Sequence, residues 1–321
     1  MSTNEQLRFG VGVDFGGTSV KMALVDEKGV IRARERVATR DLPSRAAWLD
    51  VISAAYEQLA AQASGPVSGV GVGVPGFVDY DRGFIYDLPN VPGWTAVPLV
   101  ELMEGRLKVP VRVDNDVNVM TLGECTYGAG RAYQHAIFVT LGTGVGGGVL
   151  INNQLYRGAY HMAGEMGHVS IDRLGIKSPQ GQGGLEQYVG NARLVARVVK
   201  ELEAGRASVI RTRCEGDLSR ITMEMVNYSA NQDADPLALE IYDYMADCLA
   251  CAFASATYLL QPQAFIVGGG VASAGAVLFD PLRKHLRERL SPFFADRLEI
   301  KLAALGNDAG VIGAATLALA R

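Results

Sequence analysis

The chain has 321 residues, is 49% hydrophobic and 20% charged, and carries a net charge of −4 at pH 7. That length exceeds one ordinary hydrophobic core and predicts two globular domains. The acidic balance and the lack of any basic block argue against nucleic acid or an acidic membrane as the main partner.

Leu7 to Asp14 is Gly-rich and β-branched and reads as a strand. Phe15-Gly16-Gly17 turns the chain into a returning strand, Thr18 to Val25, and a third strand, Val30 to Val37. Pro43 starts a helix to about Ala63, with Trp48, Leu49, Ile52, Tyr56 and Leu59 on one face. A buried strand, Val67 to Val74, ends at Pro75-Gly76, and a loop around Asp87–Trp94 follows. Pro98 opens a helix to about Leu107, and Val109 to Val113 is a strand that leads through Asp114-Asn115-Asp116 into a helix, Val117 to about Tyr127.

The pattern then restarts. Ala136 to Leu141 is a strand, Gly142-Thr143-Gly144 a turn, Val145 to Ile151 a returning strand and Gln154 to Arg157 a short third strand. A loop-rich stretch, with a strand expected at His168–Ile171, leads to helices at about Glu186–Ala204 and Pro236–Leu260. Ala264 to Val267 is a strand running into Gly268-Gly269-Gly270, and a helix (276–290), a strand (298–303) and a closing helix (308–320) follow. The repeat of strand, glycine turn, strand, turn, strand is a duplication of a whole half. It predicts two similar α/β halves with a ligand cleft between them.

The cysteines, Cys125, Cys214, Cys248 and Cys251, are too sparse for a disulfide framework and point to a reducing cytosol. Cys248 and Cys251 have C-x-x-C spacing, but in an Ala-rich helical run with no second pair nearby they read as small core residues. The polar N-terminus has no signal-peptide core, and the apolar run Cys248–Leu260 is too short to span a bilayer. A cytoplasmic protein is expected.

Gly142-Thr-Gly144-Val-Gly-Gly147 matches G-x-G-x-x-G, but a hairpin rather than a helix follows it, so it is not a dinucleotide fingerprint. No Walker A sequence occurs either. Two Gly-rich turns at matching places, with Thr18 and Thr143 beside them, suit a phosphate clamp built from backbone N–H groups. Asp14, at the end of the first strand, and Asp116, at a helix start, are the acids nearest that clamp. Hard oxygen ligands suit Mg²⁺, held mostly through water and nucleotide phosphates, and of these two acids one would orient the metal and the other the nucleophile. An ionised carboxylate such as Asp116 suits a base that takes a hydroxyl proton. Taken alone, Asp116 reads more simply as a helix cap.

Asp14-Phe-Gly-Gly-Thr18 resembles the first phosphate motif of the actin, hexokinase and chaperone ATPase superfamily. Leu141-Gly-Thr-Gly144 resembles the second, and Ile266-Val-Gly-Gly-Gly-Val-Ala272 the adenosine motif. Gly73-Val-Pro-Gly76, Pro89-Asn-Val-Pro-Gly-Trp94, Asn115-Asp116, Ala163-Gly-Glu-Met-Gly-His168 and Leu185-Glu186 together resemble the ROK family of bacterial sugar kinases and repressors.

The resemblance implies a two-domain actin/hexokinase-like (ribonuclease H-like) α/β fold with an interdomain cleft. The smaller domain would hold residues 1–117 and 305–321, the larger residues 118–304. It implies ATP and Mg²⁺ as cofactors and phosphorylation of a hexose at its 6-hydroxyl, most simply glucose. Fructose, allose, mannose, N-acetylglucosamine and N-acetylmannosamine are the alternatives. Asp116 would be the catalytic base. Gly76, Asn90, Asn115, Asp116, Glu165, His168 and Glu186 would line the sugar pocket. Asp14, Gly16, Gly17, Thr18, Gly142, Thr143, Gly144, Gly268, Gly269 and Gly270 would hold the nucleotide. A homodimer is implied as well.

Family repressors carry a DNA-binding domain ahead of the first phosphate loop, and only about a dozen residues precede Asp14 here, so that reading fits poorly. A catalytically dead sugar binder fits poorly too, because Asp14, Asp116 and both turns are intact. The sequence departs from the family at one place. Where most members have three zinc-binding cysteines, this chain has Lys177, Pro179 and Gly184, and no structural zinc is expected. The loop 173–184 is then expected to be more mobile.

Overall fold

A computed structural model describes residues 6–42, 44–88, 91 and 93–320. The first series of elements comprises strands β1 (Phe9–Phe15), β2 (Ser19–Asp26) and β3 (Ile31–Ala38), helix α1 (Arg45–Ala60), β4 (Val67–Val74), the hairpin of β5 (Phe77–Asp79) and β6 (Phe84–Asp87), α2 (Leu99–Leu107), β7 (Val111–Asn115) and α3 (Asp116–Tyr127). The second comprises β8 (Ala136–Leu141), β9 (Val145–Ile151), β10 (Gln154–Tyr156), the hairpin of β11 (Lys177–Ser178) and β12 (Gly181–Gln182), α4 (Glu186–Val189), α5 (Asn191–Glu203), α6 (Val209–Arg213), α7 (Met223–Asp233), α8 (Pro236–Leu260), β13 (Ala264–Gly268), α9 (Ala276–Arg289), α10 (Pro292–Ala295) and β14 (Glu299–Leu302). Helix α11 (Ala309–Leu319) closes the chain.

Two five-stranded sheets have the same order, β3-β2-β1-β4-β7 and β10-β9-β8-β13-β14. In the first, β1 pairs antiparallel with β2 and parallel with β4, which pairs parallel with β7. In the second, β9 and β10 are antiparallel and β8, β13 and β14 parallel. The repeated sequence pattern is thus a repeated sheet. By its internal contacts the chain forms two compact units. One is Met1–Ala132 with Gly148–Ala163 and Ala304–Arg321; the other is Tyr133–Gly147 with Gly164–Ala303.

The first sheet shows why Gly and Val alternate in β1 and β4. The valines face a core that also holds Trp48, Ile52, Leu59 and Leu99. Phe15, Trp48 and Trp94 meet there with ring centroids 5.0–5.3 Å apart. The glycines face α11. A Cβ on Gly12 would lie 2.0 Å from the Val311 carbonyl oxygen, and one on Gly71 1.8 Å from that of Ala314. An Ala-rich helix can pack this closely only on a strand face without side chains.

Most strands and helices lie within a few residues of the sequence expectation, but the β5–β6 and β11–β12 hairpins and α10 fall where no element is predicted, and other differences have a local cause. The helix expected at Glu186–Ala204 is broken into α4 and α5, because Gly190 is extended (φ −62°, ψ 144°). His168–Ile171 is not a strand. A 3₁₀ turn spans Met166–His168, and Ser170 makes one isolated bridge to Gly184. Helix α3 begins at Asp116 rather than Val117. The segment 205–235, without a predicted element, carries α6 and α7. Cys248 is buried in α8 and Cys251 half-buried. Among the described residues no helix is long and apolar enough to cross a membrane.

Candidate active site

The sheet register lines up the chemistry of the first unit. Asp14 on β1 is opposite Gly73 on β4, and Gly73 is opposite Asp114 on β7. With adjacent strands about 4.8 Å apart, the Asp14 and Asp114 backbones are separated by about 10 Å at one edge of the sheet. That edge is the carboxyl end of parallel strands, where α/β folds place their ligands.

Asp14 is 6% exposed. Burial pushes its carboxyl above the usual carboxylate range, against the pull of the Lys21 ammonium, whose nitrogen is 3.5 Å away. The N-terminal turn of α11 packs on the same carboxylate, for a Cβ on Gly310 would lie 2.8 Å from it. Gly16, Gly17 and Thr18 form the β1–β2 turn, closed by a Gly16 N–H to Ser19 carbonyl bond of 3.1 Å. Among the described residues nothing stands within 4 Å of the position a Gly17 side chain would take.

The cap of α3 is Asn115, not Asp116. Asn115 Oδ1 accepts from the N–H groups of Val117 (2.8 Å) and Asn118 (3.2 Å), while its Nδ2 donates to the Gly76 carbonyl at 3.2 Å. Gly76 has φ +132°, and a Cβ there would lie 2.3 Å from the Asp87 carbonyl oxygen, so glycine is required. Asp116 is the first residue of the helix, half-buried, and its Oδ1 accepts from the Val117 N–H at 2.9 Å.

Behind this turn lies a network that sequence reasoning missed. Asp114 is 2% exposed. Its Oδ1 accepts from the Asn115 N–H and from Asn118 Nδ2, both at 2.8 Å. Its Oδ2 accepts from Arg157 Nε (2.8 Å) and lies 2.7 Å from Arg157 Nη2. The Arg157 guanidinium stacks on Tyr80, 3.6 Å from the ring centroid. Arg157 follows β10, some forty residues from Asp114, and no short-range motif announces it.

In the second unit, Gly142, Thr143 and Gly144 form the β8–β9 turn, closed by a Gly142 N–H to Gly144 carbonyl bond of 3.0 Å. The 164–168 loop lies flat on β9, where a Cβ on Gly147 would meet the Gly164 carbonyl oxygen at 2.4 Å. Glu165 and His168 are 3.7 Å apart. Burial lifts the Glu165 carboxyl; His168 opposes this and nearby Glu186 adds to it. Glu186 is fixed by the Val145 N–H, which donates to its Oε2 at 2.9 Å. The structure therefore gathers Glu165, His168 and Glu186 beside the second glycine turn. Asn90 lies outside the described residues.

Gly268 ends β13. Gly269 (φ +86°) packs on the end of β8, where a Cβ would meet the Leu141 carbonyl oxygen at 2.2 Å. Gly270 opens onto a cavity of about 400 Å³, walled by α7 residues Glu224, Asn227, Tyr228 and Asn231 and by Asn191, Tyr242 and Ser273. Asn191 Oδ1 and the Tyr242 hydroxyl are buried there with no hydrogen-bond partner among the described residues. Such groups demand a polar ligand or water. The polar wall from α7 was missed, since nothing in 223–233 resembles a motif. Among the described residues no group of three or more His, Cys, Asp or Glu side chains is arranged to hold a metal ion.

A doubled five-stranded sheet with a glycine turn after each first strand, and carboxylates at the edge beside it, defines the actin/hexokinase-like fold. The chain belongs to the ROK family, whose sequence profile matches residues 10–321. It is 36% identical over 310 residues to a glucokinase of Halalkalibacterium halodurans, covering 95% of this chain and 93% of that protein. A glucokinase of Streptomyces coelicolor is 36% identical over 312 residues, covering 96% of each. The crystal structure of a ROK family glucokinase from Streptomyces griseus in complex with glucose and AMPPNP matches with a TM-score of 0.81 at 34% identity, over 96% of this chain and 98% of that one.

Proposed function

We propose that this protein is a cytoplasmic, ATP- and Mg²⁺-dependent glucokinase that phosphorylates glucose at its 6-hydroxyl. The observation that carries the reading is the full-length likeness to glucokinases at 36% identity, joined to a carboxylate, Asp116, at the carboxyl edge of the first sheet.

Asp116 accepts the proton of the 6-hydroxyl as that oxygen attacks the terminal phosphoryl group. Asn115 is held by its own bonds to α3 and Gly76, and its second amide N–H serves a neighbouring hydroxyl. Gly76, Asn90, Glu165, His168 and Glu186 complete the set that reads the sugar. Buried polar groups left unpaired by a wrong epimer supply the selectivity. Backbone N–H groups of the turns at 16–18 and 142–144 stabilise the charge on the transferring phosphoryl group. The cavity at Gly270 takes the adenine base, and the orphaned Asn191 Oδ1 and Tyr242 hydroxyl are the groups that would bond its polar edge.

For Mg²⁺ the residues fit a loosely held ion rather than a cage. Asp14 supplies one desolvated hard oxygen, which a cation relieves, and the other ligands would be phosphate oxygens and water. When bound, Mg²⁺ neutralises charge on the phosphates. The exposed aromatic patch of Tyr258 and Phe293 around Phe294 supports a homodimer, which sedimentation of the purified protein tests.

The test is ADP release with Mg-ATP against glucose, mannose, fructose, allose, N-acetylglucosamine and N-acetylmannosamine. A clear preference for glucose is expected. Preference for another sugar would reassign the substrate within the class, and binding without turnover on any sugar would overturn the kinase reading.

A further inference from the structure

The loop between His168 and Glu186 bears on the sugar pocket at both ends. Its base is closed by the Leu185 N–H to Val169 carbonyl bond (3.0 Å), the Ser170–Gly184 bridge and the Ile171 N–H to Gly183 carbonyl bond (2.9 Å). Its tip is the short β11–β12 hairpin, Lys177 opposite Gln182. Leu174 is 72% exposed and Ile176 41%, so burial of apolar surface does not hold this part down. One side chain reaches it from α4. The Tyr188 hydroxyl accepts from the Ile176 N–H at 3.1 Å and donates to Asp172 Oδ2 at 3.3 Å. Asp172 Oδ1 in turn accepts from the Leu174 N–H at 3.0 Å.

One glycine is cut to this clasp. A Cβ on Gly175 would lie 1.8 Å from the Tyr188 hydroxyl oxygen and 2.9 Å from the Asp172 Cβ, so the position leaves only the room that the Tyr188–Asp172 contact requires. Gly183, where φ is +74°, instead packs on the Asp172 main chain, where a Cβ would lie 1.9 Å from the carbonyl oxygen.

We propose that Tyr188 and Asp172 are positioning residues, forming a hydrogen-bonded clasp that fastens the 172–176 segment to α4 and so holds Glu186 and His168 in register for the sugar. In this chain the clasp does the ordering that thiolates at 177, 179 and 184 would otherwise do through a metal. The inference rests on the reading of Glu186 and His168 as sugar ligands. Tyr188 lies two residues from Glu186 on the same four-residue helix, so a shift of the ring moves the short helix that carries the carboxylate.

The test compares Tyr188→Phe, Gly175→Ala and their double variant with the wild type. The readouts are KM for glucose, KM for ATP, kcat, and trypsin cleavage after Arg173 and Lys177. Tyr188→Phe is expected to raise KM for glucose about three- to tenfold, with KM for ATP unchanged, and to speed cleavage in the loop. Gly175→Ala is expected to do the same in the wild type and to add less in the Tyr188→Phe background, because the hydroxyl it displaces is already gone. A merely structural tie would speed cleavage and leave the glucose KM unmoved, and that result overturns the proposal. So does a Tyr188→Phe variant unchanged in every readout. Glu186→Gln separates the two layers. If it leaves KM for glucose unchanged, the sugar-ligand reading of Glu186 fails. If it raises KM and Tyr188→Phe does not, the clasp alone fails.

Discussion

Arg157→Ala removes the guanidinium that neutralises Asp114. Asp114 is 2% exposed, and Arg157 supplies both bonds to its Oδ2. Taking one partner from a buried ion pair costs about 3–5 kcal/mol. The Arg157 side chain keeps 18% exposure, so water can reach part of the abandoned oxygen, which places the loss at the lower end, about 3 kcal/mol. Loss of the stacking on Tyr80, at 3.6 Å, adds about 1 kcal/mol. With about 4 kcal/mol lost in all, the transition of this unit should fall by roughly 8–16 °C.

The kinetic effect is separate. Asp114 Oδ1 holds the Asn115 N–H and Asn118 Nδ2, so a carboxylate that swings toward water drags the turn that carries Asp116. A displacement near 1 Å can cost about 10²-fold in rate, and kcat is expected to drop about 10- to 100-fold. Arg157→Lys keeps the charge without the two-pronged geometry and should fall between. Thermal unfolding and coupled ADP release on the three proteins decide it. An Arg157→Ala protein within about 1 kcal/mol of the wild type and with unchanged kcat would refute the reasoning.

Asp14→Asn should trade activity for stability. The folded carboxyl binds its proton more tightly than the unfolded one, whose ordinary value is 3.8, so its stabilising contribution is present at low pH and lost as pH rises through the raised folded value. The variant should melt higher than the wild type at pH 7, lose that advantage as pH approaches 4, and turn over far more slowly. An advantage that persists in acid would contradict the burial argument. Glu124 is fully buried and accepts from the N–H groups of Ala129 (2.9 Å), Ala304 (3.1 Å) and Leu305 (2.7 Å). Glu124→Ala should cost about 3 kcal/mol or more, read by urea unfolding, since each orphaned donor costs about 1–3 kcal/mol. Burial pushes the thiols of Cys125 and Cys248 up to about 12 and about 11. At pH 8 they should resist alkylation in the native protein while half-buried Cys251 reacts first, as peptide mass mapping would show.

Strands β1 and β4 were legible because Gly and Val alternate with period two, and the repeat of strand, glycine turn, strand, turn, strand gave the doubled sheet. The site was legible where chemistry sits in short runs, as at Asp14–Thr18, Asn115-Asp116 and Gly142–Gly144. It was not legible where partners come from afar. Nothing near Asp114 points to Arg157, nothing near Glu124 points to Ala304, and the cavity wall on α7 consists of ordinary polar helix residues. The break at Gly190 was missed because a lone glycine in a helical pattern is usually tolerated. Here the backbone must pass close to Thr143, whose carbonyl oxygen would lie 3.1 Å from a Cβ at that position. The capping of α3 was assigned to the neighbour of the true cap. Asn115 and Asp116 are both good caps, and only the backbone, extended at Asn115, distinguishes them.

The claim at the centre of this account is that Asp116 is the base for phosphoryl transfer to glucose. The direct measurement is kcat for Asp116→Asn with saturating Mg-ATP and glucose, alongside glucose binding by calorimetry. Loss of a positioned general base costs about 10²–10⁴-fold in rate, and kcat is expected to fall by that much while the affinity for glucose changes only a few-fold. A variant that keeps its kcat within about threefold of the wild type would remove Asp116 from the chemistry.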